Sequence, residues 1–395
     1  MKKCLCLVVC LFVLLSFGYA HRTRRKETLK VLTFNTALTG VIERFFPDAM
    51  TSREMRRDAI MGAVRDSGAD LVCLQEIPLG VDVATIVRNL SSVYPYSFSD
   101  LHLTDGSLPS QTESKVGPCD TKRLGTLLTC VTIKGCVSRA ESGAINEFLK
   151  CVVNCCGIEF EDLLRNDCQN CLQCVVLTVY NPADLLKTCG SPVPNLSVPS
   201  LNSHGLLLLS KRPLTNTAAV EFYPNDPEIL AHGYIRAKVD NKITAACIHA
   251  SPLGSFNTEP ALKRRFRSVQ EQLMFEGQQV FGAFQSLRPL VLLGDFNVGP
   301  RTREAEPIAE EAYMILAQLF STDVVDCCTV CPGNPFIKFN HVIDHIFAGG
   351  ASVKNAKRVF TTDEVSVQPG TTRLPVSDHF GVIANVCFRT PVRRH

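Results

Sequence analysis

Six apolar segments of this sequence each carry a side chain that can bind a metal ion or transfer a proton. In Pro289–Asn297, four consecutive apolar residues predict a buried strand, and Asp295 and Asn297 follow it at once. The other five segments supply Asn35, Glu76, His249, Asp344 and the pair Asp378–His379. One polar turn after a strand is common, but six such segments are poorly explained by turn formation alone.

These side chains are suited to metal binding and proton transfer. Carboxylate and carboxamide oxygens are hard ligands that suit Mg²⁺ or Ca²⁺, and imidazole transfers protons near neutral pH. Open α/β sheets bind ligands just beyond the carboxyl ends of their strands. Because Asp295 and Asn297 are two residues apart, strand alternation predicts that both point in the same direction.

The order and spacing of these residues resemble the endonuclease/exonuclease/phosphatase superfamily, in particular its deoxyribonuclease-I-like and neutral sphingomyelinase-like branches. The motifs that carry the resemblance are Asn35, Gln75-Glu76, His249, Gly294-Asp295-Phe296-Asn297, Asp344 and Ser377-Asp378-His379. They fall within about residues 28–100 and 203–388. The resemblance implies an α+β fold, a two-layer β-sandwich flanked by helices in the order α/β/β/α.

The resemblance also implies a metal site and a reaction. Glu76, Asn35 and Asp378 would hold the ion, expected to be Mg²⁺, with Mn²⁺ and Ca²⁺ as alternatives. The enzyme would be a phosphoric diester hydrolase, in which an activated water attacks the phosphorus atom in line with the leaving oxygen.

Five further residues receive catalytic roles from the resemblance. Asp295 would orient or deprotonate the water, and Asn297 would donate a hydrogen bond to a phosphoryl oxygen. His379, oriented by Asp344, would serve as a general acid or a phosphate clamp. His249 matches a second catalytic histidine. His345 is expected to be structural.

A phospholipid head group is the favoured substrate, with peripheral contact to a membrane surface. Three stretches are similar to the sphingomyelinase branch: Tyr94–Tyr96, Ser203–Leu214 and Leu293–Val298. The near-neutral charge and the apolar insertion also suit a lipid surface. The absence of Trp counts against this substrate, since secreted sphingomyelinases often use exposed aromatic side chains.

Two alternatives stay open. An extracellular endonuclease would use the basic clusters at 263–267 and 301–303 to contact nucleic acid phosphates. A binding module without activity is disfavoured, because the set of catalytic residues is complete. No obligate protein partner is indicated.

The chain divides into five predicted parts. These are a signal peptide at 1–20, a basic arm at 21–29, a catalytic domain at 30–102 and 203–388, a Cys-rich insertion at 103–202 and a basic tail at 389–395. Lys2 and Lys3 precede an apolar run that is too short for a comfortable membrane span, so we expect a secreted protein. Removing this segment lowers the formal charge from +3 to +1, which gives no general argument for nucleic acid binding. Arg22–Arg25 is a potential processing site.

Sixteen of the 19 cysteines lie beyond the signal segment, and ten of them fall between Cys119 and Cys189. For a secreted chain this predicts disulfides, with a zinc site at Cys168–Cys174 as the alternative. The cysteines at 327, 328 and 331 could pair locally or with those at 73, 247 or 387. Asn89 and Asn195 begin glycosylation sequons.

Hydrophobic periodicity predicts the main helices. A helix capped by Ser52 would turn Met55, Ala59, Ile60, Ala63 and Val64 inward. A long helical pattern runs over 259–284, and a further one over 306–320. Inside the insertion, the pattern favours two short helices at 141–154 and 158–165.

Overall fold

The structure is a computed structural model. It describes residues 26–39, 42, 52–103, 105–108, 113–116, 119–138, 145–164, 196–226, 231–253, 260–368 and 373–389. The predicted signal peptide, the Arg22–Arg25 site, Asn195 and the Cys168–Cys174 motif lie outside these residues. Asn89 lies inside them and is exposed in the last turn of a helix.

Two six-stranded mixed sheets form the body of the described chain. The first contains, in spatial order, β13 (Ala351–Val359), β16 (Gly381–Arg389), β1 (Lys26–Asn35), β2 (Leu71–Gln75), β6 (Leu207–Ser210) and β3 (Tyr96–Phe98). The second contains β11 (Ser321–Thr322), β12 (Asp344–Gly349), β10 (Leu290–Asp295), β9 (Ile243–His249), β8 (Gly233–Val239) and β7 (Leu214–Glu221). Two short ladders pair β4 (Glu113–Val116) with β5 (Leu196–Pro199), and β14 (Ser366–Val367) with β15 (Leu374–Pro375).

Both faces of the central strands are buried, which explains their continuous apolar sequences. Val31 and Leu208 of the first sheet pack against Val291 of the second in the core between the sheets. A disulfide between Cys73 on β2 and Cys247 on β9 crosses this core and joins the two sheets.

Helices cover the outer faces of both sheets. Those that the structure describes are α1 (Arg53–Asp66), α2 (Gly80–Leu90), α3 (Thr121–Ile133), α4 (Ile145–Leu164), α5 (Pro260–Arg265), α6 (Val269–Phe284) and α7 (Glu310–Ala317). The first two pack on the first sheet, whereas α6 and α7 pack on the second. The predicted α/β/β/α sandwich is therefore confirmed. Within the described residues, none of the helices has the length and apolar character needed to cross a membrane.

The inner face of α1 differs from the prediction at one important position. Ser52 caps the helix as expected, because its hydroxyl accepts a hydrogen bond from the Met55 amide at 3.2 Å. Met55, however, is 42% exposed, and its neighbour Arg56 is completely buried. Arg56 lies one and two helical turns before Ile60 and Val64, so its charged side chain starts the buried stripe.

Three other elements differ in extent. The predicted helix over 259–284 is two helices, because Ser268 caps α6 by accepting a hydrogen bond from the Glu271 amide at 3.2 Å. The helix predicted over 306–320 is shorter, at Glu310–Ala317. Strand β1 begins at Lys26, so residues 26–29 of the predicted basic arm pair with β16.

The described part of the insertion contains a disulfide-linked helix pair. Cys130 and Cys136 of the α3 segment pair with Cys156 and Cys151 of α4. Within the described residues, the two helices predicted at 141–154 and 158–165 correspond to the two halves of α4, which are separated by a non-helical backbone at Cys156 (φ −134°, ψ 26°). Among the other cysteines, Cys328 and Cys331 pair locally.

Candidate active site

Strand topology brings the predicted site residues to one edge of the sandwich. β1 and β2 are parallel, as are β9 and β10, so their carboxyl ends lie on the same side. β12 and β16 run antiparallel to these strands and begin at that side. In the second sheet, Asp295 is the register partner of both His249 and Asp344.

The amide of Asn35 joins the two halves of the site. Its Nδ2 donates to Glu76 Oε1 and to Asp295 Oδ2, at 3.0 Å in each case. The second Glu76 oxygen accepts from the Thr39 hydroxyl at 3.1 Å. Glu76 is therefore held in place, while its side chain stays 23% exposed.

Both predicted catalytic histidines face Asp295. Their Nε2 atoms lie 3.8 Å from Asp295 Oδ2 in each case. His249 Nε2 is also 4.0 Å from Glu76 Oε1. The Nδ1 atom of His379 is 3.0 Å from Asp344 Oδ2, which is the pairing that the sequence predicts.

Charges and burial set the two histidines apart. Burial alone would lower the pKa of His379, but the carboxylate of Asp344, aided by Asp295 and Asp378, raises it well above the ordinary value. Burial lowers the pKa of His249 well below that value, and His232 and His379 add to this effect by repelling a second positive charge. At neutral pH, His379 is therefore a cation and His249 is neutral.

The two central carboxyl groups are both more basic than usual. Burial, followed by the charge of Asp344, raises the pKa of Asp295 to about 7. Burial, followed by the charge of Asp378, raises the pKa of Glu76. A carboxyl group with a pKa near 7 can exchange a proton at physiological pH.

Two residues at the site have backbone conformations that residues other than glycine rarely adopt. Glu76 (φ +59°) and Asn297 (φ +51°) are both in the left-handed region. Such residues cost stability and cluster at functional sites. Gly294 has a different purpose, since a Cβ atom there would lie 2.2 Å from the Ile248 carbonyl oxygen of β9. It permits the close approach of the two strands.

Asn297 lies just beyond the strand from which its direction was predicted. Strand β10 ends at Asp295, so strand alternation does not extend to Asn297. Its side-chain Nδ2 donates to the Ala250 carbonyl at 2.8 Å, and its backbone amide donates to Asp295 Oδ1 at 2.9 Å. Asn297 therefore fixes the orientation of Asp295 in this structure.

Two groups of residues could hold a cation. The predicted ligands, Asn35, Glu76 and Asp378, offer only oxygen atoms, the donors that Mg²⁺ prefers. The charge of Asp378 also raises the pKa of Glu76, and a divalent cation between these carboxylates would relieve their repulsion. Potential ligand atoms of Asp295, Asp344 and His379 also lie within 4.8 Å of one another. That group fits a cation less well, because its imidazole is hydrogen-bonded to Asp344.

Three supporting residues, of which two carry no sequence signal, orient the site. Thr39 contacts Glu76, and Thr329 accepts hydrogen bonds from the Ile343 and Asp344 amides at 3.1 and 3.3 Å. Ser377 donates to the Asn35 carbonyl at 2.7 Å. Ser377 belongs to a recognised motif, whereas the two threonines have neither a periodic nor a motif context.

Three further polar residues make contacts with other parts of the protein. His204 is buried and its Nδ1 is 3.1 Å from Asp100 Oδ2, while the Asn340 side chain donates to the Glu304 carbonyl. His345 contacts the Val298 carbonyl through Nε2 at 2.8 Å and is buried, in agreement with its predicted structural role.

Comparisons with known proteins found one matching family model and several similar solved structures. The model of the Endonuclease/Exonuclease/phosphatase family matches residues 32–379. An endonuclease/exonuclease/phosphatase from Beutenbergia cavernae is 14% identical, with 93% of this chain and 73% of that chain covered and a TM-score of 0.49. Sphingomyelinase C from Streptomyces griseocarneus is 15% identical, with 91% and 99% covered and a TM-score of 0.45. A beta-toxin mutant from Staphylococcus aureus with bound magnesium ions is 13% identical, with 91% and 99% covered and a TM-score of 0.44. No curated protein sequence matches significantly.

Proposed function

Because the chain belongs to the endonuclease/exonuclease/phosphatase family, whose members are hydrolases of phosphodiester bonds, we propose that it is a secreted, divalent-metal-dependent phosphodiesterase that acts on phospholipid head groups. One observation carries the chemistry. Asp295 accepts a hydrogen bond from Asn35 and lies 3.8 Å from both His249 and His379. A proton acceptor thus lies between one neutral and one cationic imidazole.

In this proposal, Asn35, Glu76 and Asp378 hold Mg²⁺, or Mn²⁺ or Ca²⁺ in its place. The ion would neutralise charge on the phosphate oxygens, which otherwise repel a nucleophile. Besides binding the ion, Asn35 donates one hydrogen bond to the Glu76 carboxylate and one to the Asp295 carboxylate, and so holds both groups in the site.

Asp295 accepts the proton of the attacking water, because its pKa of about 7 allows proton uptake near neutral pH. Asn297 and Asn35 fix its two oxygens. The cationic His379, held by Asp344, donates a proton to the leaving oxygen or binds the phosphate. Neutral His249 can donate a hydrogen bond to the phosphate without adding charge.

The surface charges support a lipid over a nucleic acid. Arg265 of the first basic cluster pairs with Asp226 at 2.8 Å, and Arg264 pairs with Glu161. In the second cluster, Arg301 and Arg303 each have a carboxylate within 2.9 Å. Their positive charge is partly neutralised within the protein, which weakens the basis for phosphate contacts.

Exposed apolar side chains on the insertion support a membrane contact. Ile133, at the end of α3, is 75% exposed, and Ile158 on α4 is 81% exposed. Exposed isoleucines on a disulfide-linked helix pair can enter a lipid interface without unfolding the pair. An extracellular endonuclease is the second candidate, and only the basic clusters at 263–267 and 301–303 support it.

Parallel hydrolysis assays test the proposal. The oxidised protein is incubated with Mg²⁺ and either sphingomyelin vesicles or plasmid DNA, with and without EDTA. We expect release of phosphocholine without DNA nicking, abolished by EDTA, by Glu76→Ala and by His379→Ala. Glu311→Ala, which removes an exposed glutamate of α7, is the matched control and should retain full activity.

The other outcomes have distinct meanings. DNA nicking alone would replace the lipid substrate with nucleic acid. Activity on neither substrate, combined with normal folding, would favour a binding module. Secretion is tested separately by the mass of the exported protein, which should lack residues 1–20.

A further inference from the structure

Arg56 connects the loop that follows Asn35 to the loop that carries Asp378. It is completely buried in the first turn of α1. Its Nη1 donates to the Val376 carbonyl at 3.0 Å and to the Thr36 carbonyl at 3.3 Å, and its Nη2 donates to the Ala37 carbonyl at 3.0 Å. One guanidinium group thus binds the backbone directly after Asn35 and two residues before Asp378.

The loop that follows Asn35 also positions the third ligand. The Leu38 amide donates to the Glu76 carbonyl at 3.0 Å, and the Thr39 hydroxyl donates to the Glu76 carboxylate at 3.1 Å. Ala37, which Arg56 binds, has a left-handed backbone (φ +50°). A strained loop of this kind keeps its shape only when surrounding contacts fix it.

The chemistry of arginine suits this task. The guanidinium group is planar and presents its donors in a fixed fork, so it can bind several carbonyl groups in a defined arrangement. A lysine keeps the charge but has a single, freely rotating ammonium group. Because the side chain of Arg56 is buried, water cannot replace bonds that the carbonyl groups lose.

We propose that Arg56 is a positioning residue that sets the spacing of Asn35, Glu76 and Asp378 and thereby the affinity of the site for a divalent cation. The inference rests on the proposed function, because it takes these three residues to be the ligands. Arg56 itself touches neither the cation nor the substrate. Its effect passes through the carbonyl groups of Thr36, Ala37 and Val376.

Direct measurement of Mn²⁺ binding tests this role without any turnover. Isothermal titration gives the Kd of Mn²⁺ for the wild type, Arg56→Lys and Arg56→Met, and circular dichroism gives the Tm of each. We expect Arg56→Lys to keep its secondary structure and to raise the Mn²⁺ Kd at least tenfold. Arg56→Met should raise it further.

The neighbouring Arg57 provides the matched control. It is on the same helix and bonds Asp58 and the buried Asp82 at 3.0 Å, away from the ligand loops. Arg57→Met should lower the Tm but leave the Mn²⁺ Kd within twofold of the wild type. If the Mn²⁺ Kd rises in the Arg56 variants and in Arg57→Met alike, in proportion to their losses of Tm, the proposal is overturned.

A measurement on the wild type keeps the test valid if the Arg56 variants do not fold. In nuclear magnetic resonance of ¹⁵N-arginine-labelled protein, the buried Arg56 guanidinium signals should shift on Mg²⁺ titration, whereas those of Arg57 should not. An Arg56 signal that ignores saturating Mg²⁺ overturns the positioning role. A wild type that binds neither ion overturns the proposed function itself.

Discussion

The side chain of Asn35 donates a hydrogen bond to Asp295 at 3.0 Å, although 260 residues separate the two in sequence. Asn35 ends a strand of the first sheet, and Asp295 ends a strand of the second. Their contact is therefore the point at which the two halves of the sandwich meet in the site. The second hydrogen of the same amide binds Glu76, so a single side chain orients one carboxylate from each sheet.

Replacing Asn35 by alanine should disable the site without unfolding the protein. The variant loses two hydrogen bonds to carboxylates, each of which contributes on the order of 1.5–3 kcal/mol. Two such bonds amount to about 3 kcal/mol or more, so we expect kcat/KM for phosphodiester hydrolysis to fall at least about 100-fold. Asn89→Ala, which removes an exposed asparagine from α2, is the control and should be fully active. Equal activities of the two variants would contradict a central role for Asn35.

The pairing of Asp344 with His379 predicts a shift in the pH profile. The Asp344 carboxylate counteracts burial and raises the pKa of His379, so the wild-type imidazole keeps its proton to a higher pH than an ordinary histidine does. A general acid loses activity as the pH rises through its pKa. Asp344→Asn lowers this pKa, and the alkaline limb of the kcat profile should therefore move to lower pH.

Measuring kcat from pH 5 to 10 checks this shift. Relative to the wild type, Asp344→Asn should lose more of its kcat at pH 8 than at pH 6. Asp363→Asn, whose wild-type side chain is 99% exposed, should keep the wild-type profile. An alkaline limb that does not move in Asp344→Asn would rule out His379 as the group that titrates.

His345 makes the stability of the fold depend on pH. Burial lowers its pKa from 6.5 to about 4. Between these values the unfolded chain binds a proton that the folded chain does not, so stability falls as the pH drops through this window. At about 1.4 kcal/mol per pKa unit, the loss approaches about 3 kcal/mol near pH 4.

Urea unfolding of the wild type and His345→Gln at pH 7.5 and pH 4.5 tests this dependence. Glutamine can still donate to the Val298 carbonyl, but it does not titrate. The wild type should be the more stable protein at pH 7.5, and its advantage should shrink by about 2–3 kcal/mol at pH 4.5. An advantage of constant size would show that His345 binds a proton equally well in the folded and the unfolded chain.

The resemblance predicted the sandwich, and local patterns predicted the strands that the motif residues follow. Buried strands are continuous apolar runs, and the motif residues follow them directly. Arg56 escaped prediction because a charged residue at the start of a helix normally faces solvent, and only the distant Val376 loop supplies its acceptors. The contacts of Asn297 were not predictable from strand alternation, because its left-handed backbone lies beyond the end of β10. The kink at Cys156 lies where α4 is disulfide-linked to Cys130, a pairing that cysteine spacing does not specify.

The disulfide between Cys73 and Cys247 should stabilise both the fold and the site. It closes a loop of 174 residues and joins the two sheets. Cys73 lies three residues before Glu76, and Cys247 lies two residues before His249, so the bond also limits the separation of these side chains. Replacing both cysteines by alanine should lower the free energy of unfolding by about 2–5 kcal/mol and reduce kcat.

The control replaces Cys130 and Cys156, whose separation is only 26 residues. It should cost less stability, because the entropy that a cross-link removes from the unfolded chain grows with loop length. Guanidinium unfolding and hydrolysis assays on the two double variants compare these effects, and a larger loss of stability in the control would contradict the ranking.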